Sequence, residues 1–240
     1  MSISFESISK AFGQKQVLDQ VSFKVNTGEI LFILGKSGMG KSVTLKTIVG
    51  LLKPDAGDVS IGEMCVTRLD EEGLSEARKL CGMVFQHPAL LDSLTVYENV
   101  AFGLRTLSPA QARERVIECL KLVHLDESCL NRKPPEISYG MQKRVSLART
   151  LAPSPRYLLF DEPTTGLDPI TTNAINELIF ELSRKLKVTS VVVSHDMGCA
   201  VRIADRILVL DNARILAMGS VDEIKENKAQ LIQDFLKEAI

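Results

Sequence analysis

Residues 35–42 read Gly35-Lys36-Ser37-Gly38-Met39-Gly40-Lys41-Ser42 and fit the spacing G-x-x-x-x-G-K-[ST]. Glycines at these positions let backbone N–H groups turn inward around phosphate oxygens. A helix starting here adds the positive end of its dipole. Lys41 can then reach the β- and γ-phosphates of a nucleotide, and Ser42 can hold Mg²⁺. Farther along, the apolar run Tyr157-Leu158-Leu159-Phe160 ends in Asp161-Glu162. Ligands of open α/β sheets sit beyond the carboxyl ends of the strands. Asp161 is therefore placed to support Mg²⁺, directly or through water, and Glu162 to orient or deprotonate an attacking water. Alone, such a pair reads as an exposed loop start; beside the glycine loop it reads as catalytic.

Two further polar residues end apolar runs. His195 follows Val191-Val192-Val193, and Gln86 follows Met83-Val84-Phe85. His195 is either a structural hydrogen-bonding residue or one that reaches a γ-phosphate from the same sheet edge. Gln86 is either a surface glutamine or a hinge residue that touches Mg²⁺ or water. A third stretch, PPEISYGMQKRVSLART at 134–150, starts a helix at Ser138-Tyr139-Gly140. Ser138 either simply caps that helix, or the helix N-terminus is aimed at a ligand.

These residues need a scaffold of alternating strands and helices. Residues 3–34 read as strands, with Val21, Phe23 and Val25 alternating with polar neighbours and Ile30–Leu34 continuously apolar, as in a strand buried on both faces. A helix is expected over about 41–52 and a strand near 58–67. From about 87 to 152 the pattern turns helical. Ser108-Pro109 gives a capping hydroxyl and a proline at the first helical position, and Ala112, Val116, Leu120 and Val123 follow at helical spacing. Strands return at Tyr157–Phe160 and Val191–Val193, with a helix opened by Asp168-Pro169 between them and a terminal helix over about 221–238. Alternation of this kind implies a parallel sheet.

Composition narrows the function further. The chain has 240 residues, 45% of them apolar, which suffices for a sizeable core. With 29 basic and 30 acidic residues, it gives no reason to expect nucleic acid as a partner. Five scattered cysteines without a C-x-x-C pair read as reduced thiols. Met1–Lys10 lacks the basic start and apolar run of a signal peptide, and no segment approaches the roughly 18 apolar residues of a membrane span.

The segment Ile137-Ser138-Tyr139-Gly140-Met141-Gln142, followed by Lys143-Arg144, resembles the L-S-G-G-Q signature of ATP-binding-cassette (ABC) ATPases. The resemblance extends over nearly the whole chain, in the family's order: Phe12, the 35–42 loop, Gln86, the signature, Asp161-Glu162, the turn Thr165-Gly166-Leu167-Asp168, and His195. It implies a RecA-like P-loop NTPase core with an N-terminal antiparallel β subdomain and an inserted α-helical subdomain. Residues 1–240 would form one domain, with the core and β subdomain at about 1–86 and 152–220, the helical signature subdomain at 87–151 and a C-terminal helix at 221–240. It implies ATP and Mg²⁺ as cofactors, with Phe12 stacked on adenine and Ser42, Gln86 and Asp161 near the metal. Lys41, Glu162 and His195 would be the catalytic residues. Ser138 and Gly140 would contact the γ-phosphate of ATP held by a second subunit, so the expected partner is a second copy of the chain. Ile137 and Tyr139 depart from the signature; the Tyr139 ring is expected to pack aside.

Transmembrane permease subunits, and a peripheral location on the cytoplasmic face of the inner membrane, follow from the same resemblance. The stretches DSLTVYENVAF, GMQKRVSLART, DEPTTGLDPIT and KVTSVVVSHDM resemble the ATPases of lipid-trafficking systems that work with MCE-domain proteins. That implies phospholipid or another lipid as cargo. The alternatives are an importer ATPase for amino acids or other solutes, and a soluble ABC ATPase outside transport.

Overall fold

The computed structural model describes residues 2–238. The chain opens with β1 (Ile3–Phe12), β2 (Lys15–Val25), β3 (Ile30–Leu34) and α1 (Lys41–Ile48). β4 (Ala56–Ile61), β5 (Met64–Cys65), α2 (Glu71–Lys79) and β6 (Cys81–Val84) follow. A helical stretch then holds α3 (Val96–Ala101), α4 (Pro109–Leu122) and α5 (Tyr139–Leu151). The remainder runs β7 (Tyr157–Asp161), α6 (Pro169–Leu186), β8 (Thr189–Ser194), α7 (Met197–Ile203), β9 (Arg206–Asp211), β10 (Arg214–Ser220), α8 (Val221–Glu226) and α9 (Gln230–Glu238).

Two sheets result. The smaller is antiparallel, ordered β2-β1-β4-β5; the larger has the order β10-β9-β3-β8-β7-β6, parallel except for β10. The all-apolar β3 is explained by what covers each face of the large sheet. Ile30, Phe32 and Leu34 pack into one cluster with the helical stretch, α6 and α7, whereas Leu31 and Ile33 join another with α1 and the small sheet. Burying each such side chain contributes about 1.5–3 kcal/mol, so the strand that carries the glycine loop is firmly anchored. This is the α/β core with an antiparallel β subdomain and a helical insertion that the sequence implied.

The topology also gathers the polar residues. β3, β8, β7 and β6 are adjacent and parallel, so their carboxyl ends share one edge. The register pairs Leu34 with Ser194, Asp161 with Val193, and Val84 with Phe160. Gly35, His195, Glu162 and Gln86 therefore leave the sheet side by side, although they are scattered through the sequence.

Several boundaries differ from the sequence reading. The helix expected to reach residue 52 stops at Ile48, because Gly50 turns left-handed (φ 63°) and the N–H groups of Leu51 and Leu52 both bond back to Lys46 O. The strand near 58–67 is a hairpin, β4 and β5, turned at Gly62 (φ 60°), followed by a 3₁₀ turn at Val66–Arg68. The terminal helix is two helices. Asn227 adopts an extended conformation between them, and its Oδ1 accepts from Ala229 N at 2.9 Å. Residues 239 and 240 of that expected helix lie outside the described residues. α2, β6, α7, β9 and β10 were not foreseen. α2 had a readable start, since Asp70 caps it by accepting from Gly73 N at 2.9 Å, with Glu71 and Glu72 in the first turn.

Candidate functional site

The loop from β3 to α1 can be built only with glycine at its end. Gly40 caps α1 at φ 90°, and a Cβ there would lie 2.7 Å from Val17 O. With that clearance the backbone wraps tightly into the helix start. Lys41 is buried, and its ammonium donates to Gly35 O at 2.7 Å and Lys36 O at 3.2 Å. It also lies 3.4 Å from Glu162 Oε1. Ser42 Oγ donates to Asp161 Oδ1 at 2.7 Å, joining α1 to the end of β7 across 119 residues of sequence.

Glu162 has a left-handed backbone (φ 49°), uncommon for a residue with a side chain, and strain of this kind gathers at functional positions. Its N–H is fixed to Val193 O at 3.0 Å. The carboxylate is clamped from both sides: Lys41 faces Oε1, while Thr165 Oγ1 donates to Oε2 at 3.2 Å and His195 Nδ1 lies 2.7 Å from Oε2. The His195 ring is otherwise largely exposed.

A cleft of about 770 Å³ opens over this edge. Phe12, Lys36, Ser37, Gly38, Gly40, Lys41, Ser42, Gln86, Glu162 and His195 line it. Gly35 and Asp161 stand behind it, tied to Lys41 and Ser42 respectively. Met39 faces a neighbouring cavity with Lys15 and Gln16. Ser138 and Gly140 are not among its lining residues. Lys15, Val17, Thr165, Phe235 and Glu238 also line the cleft. Lys15 had a sequence signal, as it pairs with Phe12 across a two-residue turn. Phe235 had none, because helical spacing marks an apolar residue without saying what it covers.

The donor set suits a triphosphate and a hard cation. Lysines and glycines of the loop line the cleft, and the Ser42 hydroxyl sits against a carboxylate. Among the described residues no group of three or more His, Cys, Asp or Glu could hold a metal. A Mg²⁺ ion here would accordingly draw oxygen ligands from the nucleotide as well as from Ser42, Asp161 and Gln86.

A family profile described as "ABC transporter" matches residues 18–165, a span that holds the glycine loop, Gln86 and Asp161-Glu162. The chain belongs to the ABC transporter family. It is an ABC ATPase, and members of this family bind ATP with Mg²⁺. The chain is 40% identical over 224 residues to the methionine import ATP-binding protein MetN of Clostridioides difficile, covering 92% of this chain and 70% of that one. It is 39% identical over 249 residues to the sulfate/thiosulfate import ATP-binding protein CysA of Bradyrhizobium diazoefficiens, covering 100% and 70%. Of the methionine import ATP-binding protein MetN of Brucella abortus it spans 61% of the length, at 39% identity. Among solved structures, the dimeric ATP-binding cassette MJ0796 bound to ADP and Pi superposes with a TM-score of 0.83 at 34% identity, covering 91% of this chain and 98% of that one. None of these names extends the resemblance to MCE-associated lipid trafficking; the named imports are of methionine and of sulfate or thiosulfate.

The ABC signature segment is a helix start. Ser138 caps α5, its Oγ accepting from Met141 N at 3.3 Å. The Tyr139 ring lies beside the 165–168 turn, with Cε1 3.8 Å from where a Gly166 Cβ would be. Its hydroxyl is 3.3 Å from His87 Nδ1, and the Lys143 ammonium is 5.5 Å from the ring centroid. Burial pulls the Lys143 ammonium down to about 8 and also lowers the Arg149 guanidinium.

Proposed function

We propose that this chain is the ATP-hydrolysing subunit of an importer-type ABC transporter, acting as a head-to-tail homodimer on the cytoplasmic face of the inner membrane. The observation that carries the reading is the division of the expected ATP contacts. The glycine loop, Phe12, Gln86, Glu162 and His195 line one cleft, while Ser138 and Gly140 lie outside its lining at the start of α5. A second copy then supplies the missing helix N-terminus, and two-fold symmetry creates two equal sites. The dimeric form of MJ0796 supports this arrangement.

In this reading Phe12 stacks on adenine, and the loop amides and Lys41 hold the phosphates. Ser42, Asp161 and Gln86 hold Mg²⁺, which when bound offsets the charge on the phosphate oxygens. Glu162 takes the proton of the attacking water, and His195 orients the Glu162 carboxylate and reaches the γ-phosphate. ATP favours the closed dimer through its differential affinity for that state, and loss of the γ-phosphate link opens it. Exposed Phe85, Leu91 and Phe102, around the loop that follows Gln86, suit a groove for a cytoplasmic helix of a permease.

Cargo is a finer matter. The importers of methionine and sulfate among the relatives favour a small solute such as an amino acid, whereas the four stretches quoted above favour a lipid and an MCE-type partner. Affinity purification from native membranes separates these. The solute reading predicts a polytopic permease in a complex whose ATPase activity rises with an amino acid or oxyanion. An MCE-domain protein with bound phospholipid would overturn that reading, and the lack of any polytopic partner would return a soluble ATPase.

A further inference from the structure

The loop 86–89 leaves β6 for the helical stretch, and α5 grips it along its whole length. Lys143 donates to Gln86 O, the Tyr139 hydroxyl lies 3.3 Å from His87 Nδ1, and Arg149 donates to Pro88 O at 3.2 Å and Ala89 O at 2.7 Å. Four consecutive loop residues thus have partners on one helix. Lys143 also hydrogen-bonds to the other side of the site, donating to Pro163 O at 2.9 Å, one residue beyond Glu162. It is only 4% exposed, and its hydrogen bonds go to backbone carbonyls of these two loops. A buried ammonium is costly unless its donors are used, and a methionine would fill the same space without that cost. What the charge adds is a tie between two loops that the sequence keeps far apart.

We propose that Lys143 is a positioning residue that locks the Gln86 and Glu162 loops to the signature helix, with Tyr139 covering it. The start of α5, the loop facing the permease and the catalytic carboxylate then move as one unit. The inference rests on the roles proposed above for Gln86 and Glu162. It is distinct from them, since Lys143 is not among the residues lining the cleft and donates to backbone carbonyls instead.

The test uses the full chain with Mg-ATP and compares Lys143→Met, Lys143→Gln and Lys143→Arg. Lys143→Met is expected to melt cooperatively and keep its KM for ATP within about two-fold, yet to lose about ten-fold or more in kcat, the scale of a lost charged hydrogen bond. Lys143→Arg, which keeps charge and donors, is expected to recover part of the loss. Hydrogen exchange is expected to quicken at 86–89 and 163–166 together in Lys143→Met. A kcat within about two-fold of the parent, with exchange unchanged at both loops, overturns the proposal. If Lys143→Met does not fold, Lys143→Gln decides by the same readings. Glu162→Gln, run alongside, separates the two failures. Brisk turnover there indicts the catalytic assignment, whereas a dead Glu162→Gln beside a fully active Lys143→Met overturns only the lock.

Discussion

Glu162, the proposed base, has a left-handed backbone and a carboxylate shared among Lys41, Thr165 and His195. Replacing it by glutamine keeps the shape and removes the base. Turnover should fall by about 10²–10⁴-fold while ATP still binds, as steady-state hydrolysis and nucleotide binding would show. Side chains away from the cleft give a second check. Burial pushes the thiols of Cys81 up to about 12 and Cys119 up to about 11, and raises that of Cys199 further. These thiols stay neutral through pH 9, so a thiolate-selective alkylating agent should leave them unmodified in the folded chain and label them after denaturation. At this scale the sequence was highly informative where a residue type has one chemistry, as in Gly40, Lys41 and Glu162. It was silent where packing decides. Nothing in the residue types places Lys143 against Gln86 and Pro163, or Phe235 beside the cleft.

The elements are held at their ends by side-chain caps whose carboxylates are tuned by folding. Asp168 accepts from Thr171 Oγ1 and from the N–H groups of Ile170 and Thr171 at the start of α6, which holds its carboxyl below the usual value. Glu98 at α3 and Glu223 at α8 are lowered by bonds from the backbone of their capping partners, Thr95 and Ser220. A carboxylate lowered by folding stabilises the fold above its unfolded value, about 4, and that contribution is lost as pH falls through the folded value. Thermal melts should therefore hold steady from pH 7 to about 5 and drop below about 4. Ser108→Ala, which removes the cap of α4, should cost about 1 kcal/mol and lower the melting temperature by about 2–4 °C. Strong local signals made α4 and α6 readable, because Ser-Pro and Asp-Pro both cap and start a helix. The split between α8 and α9 was not readable, since the apolar spacing continues across it and only the Asn227 backbone breaks it.

On the scale of the molecule, parallel strands bring four distant loops to one edge, which the proposed dimer makes half of a site. The alternation of strands and helices implied a parallel sheet through β3, β7 and β8, but left β6, β9 and β10 unread. The signature resemblance already pointed to the start of α5 as the part a second copy supplies; the structure adds that Ser138 and Gly140 are not among the lining residues of the chain's own cleft. The most direct test is the mass of Glu162→Gln by sedimentation or light scattering, with and without Mg-ATP. The account predicts a single 26.4 kDa species without nucleotide and a species of about twice that mass with ATP. It also predicts that Ser138→Arg, which obstructs the helix start offered to the partner, abolishes the larger species. Glu162→Gln that binds ATP yet stays monomeric at every concentration, alone and with its membrane partners, would contradict the account.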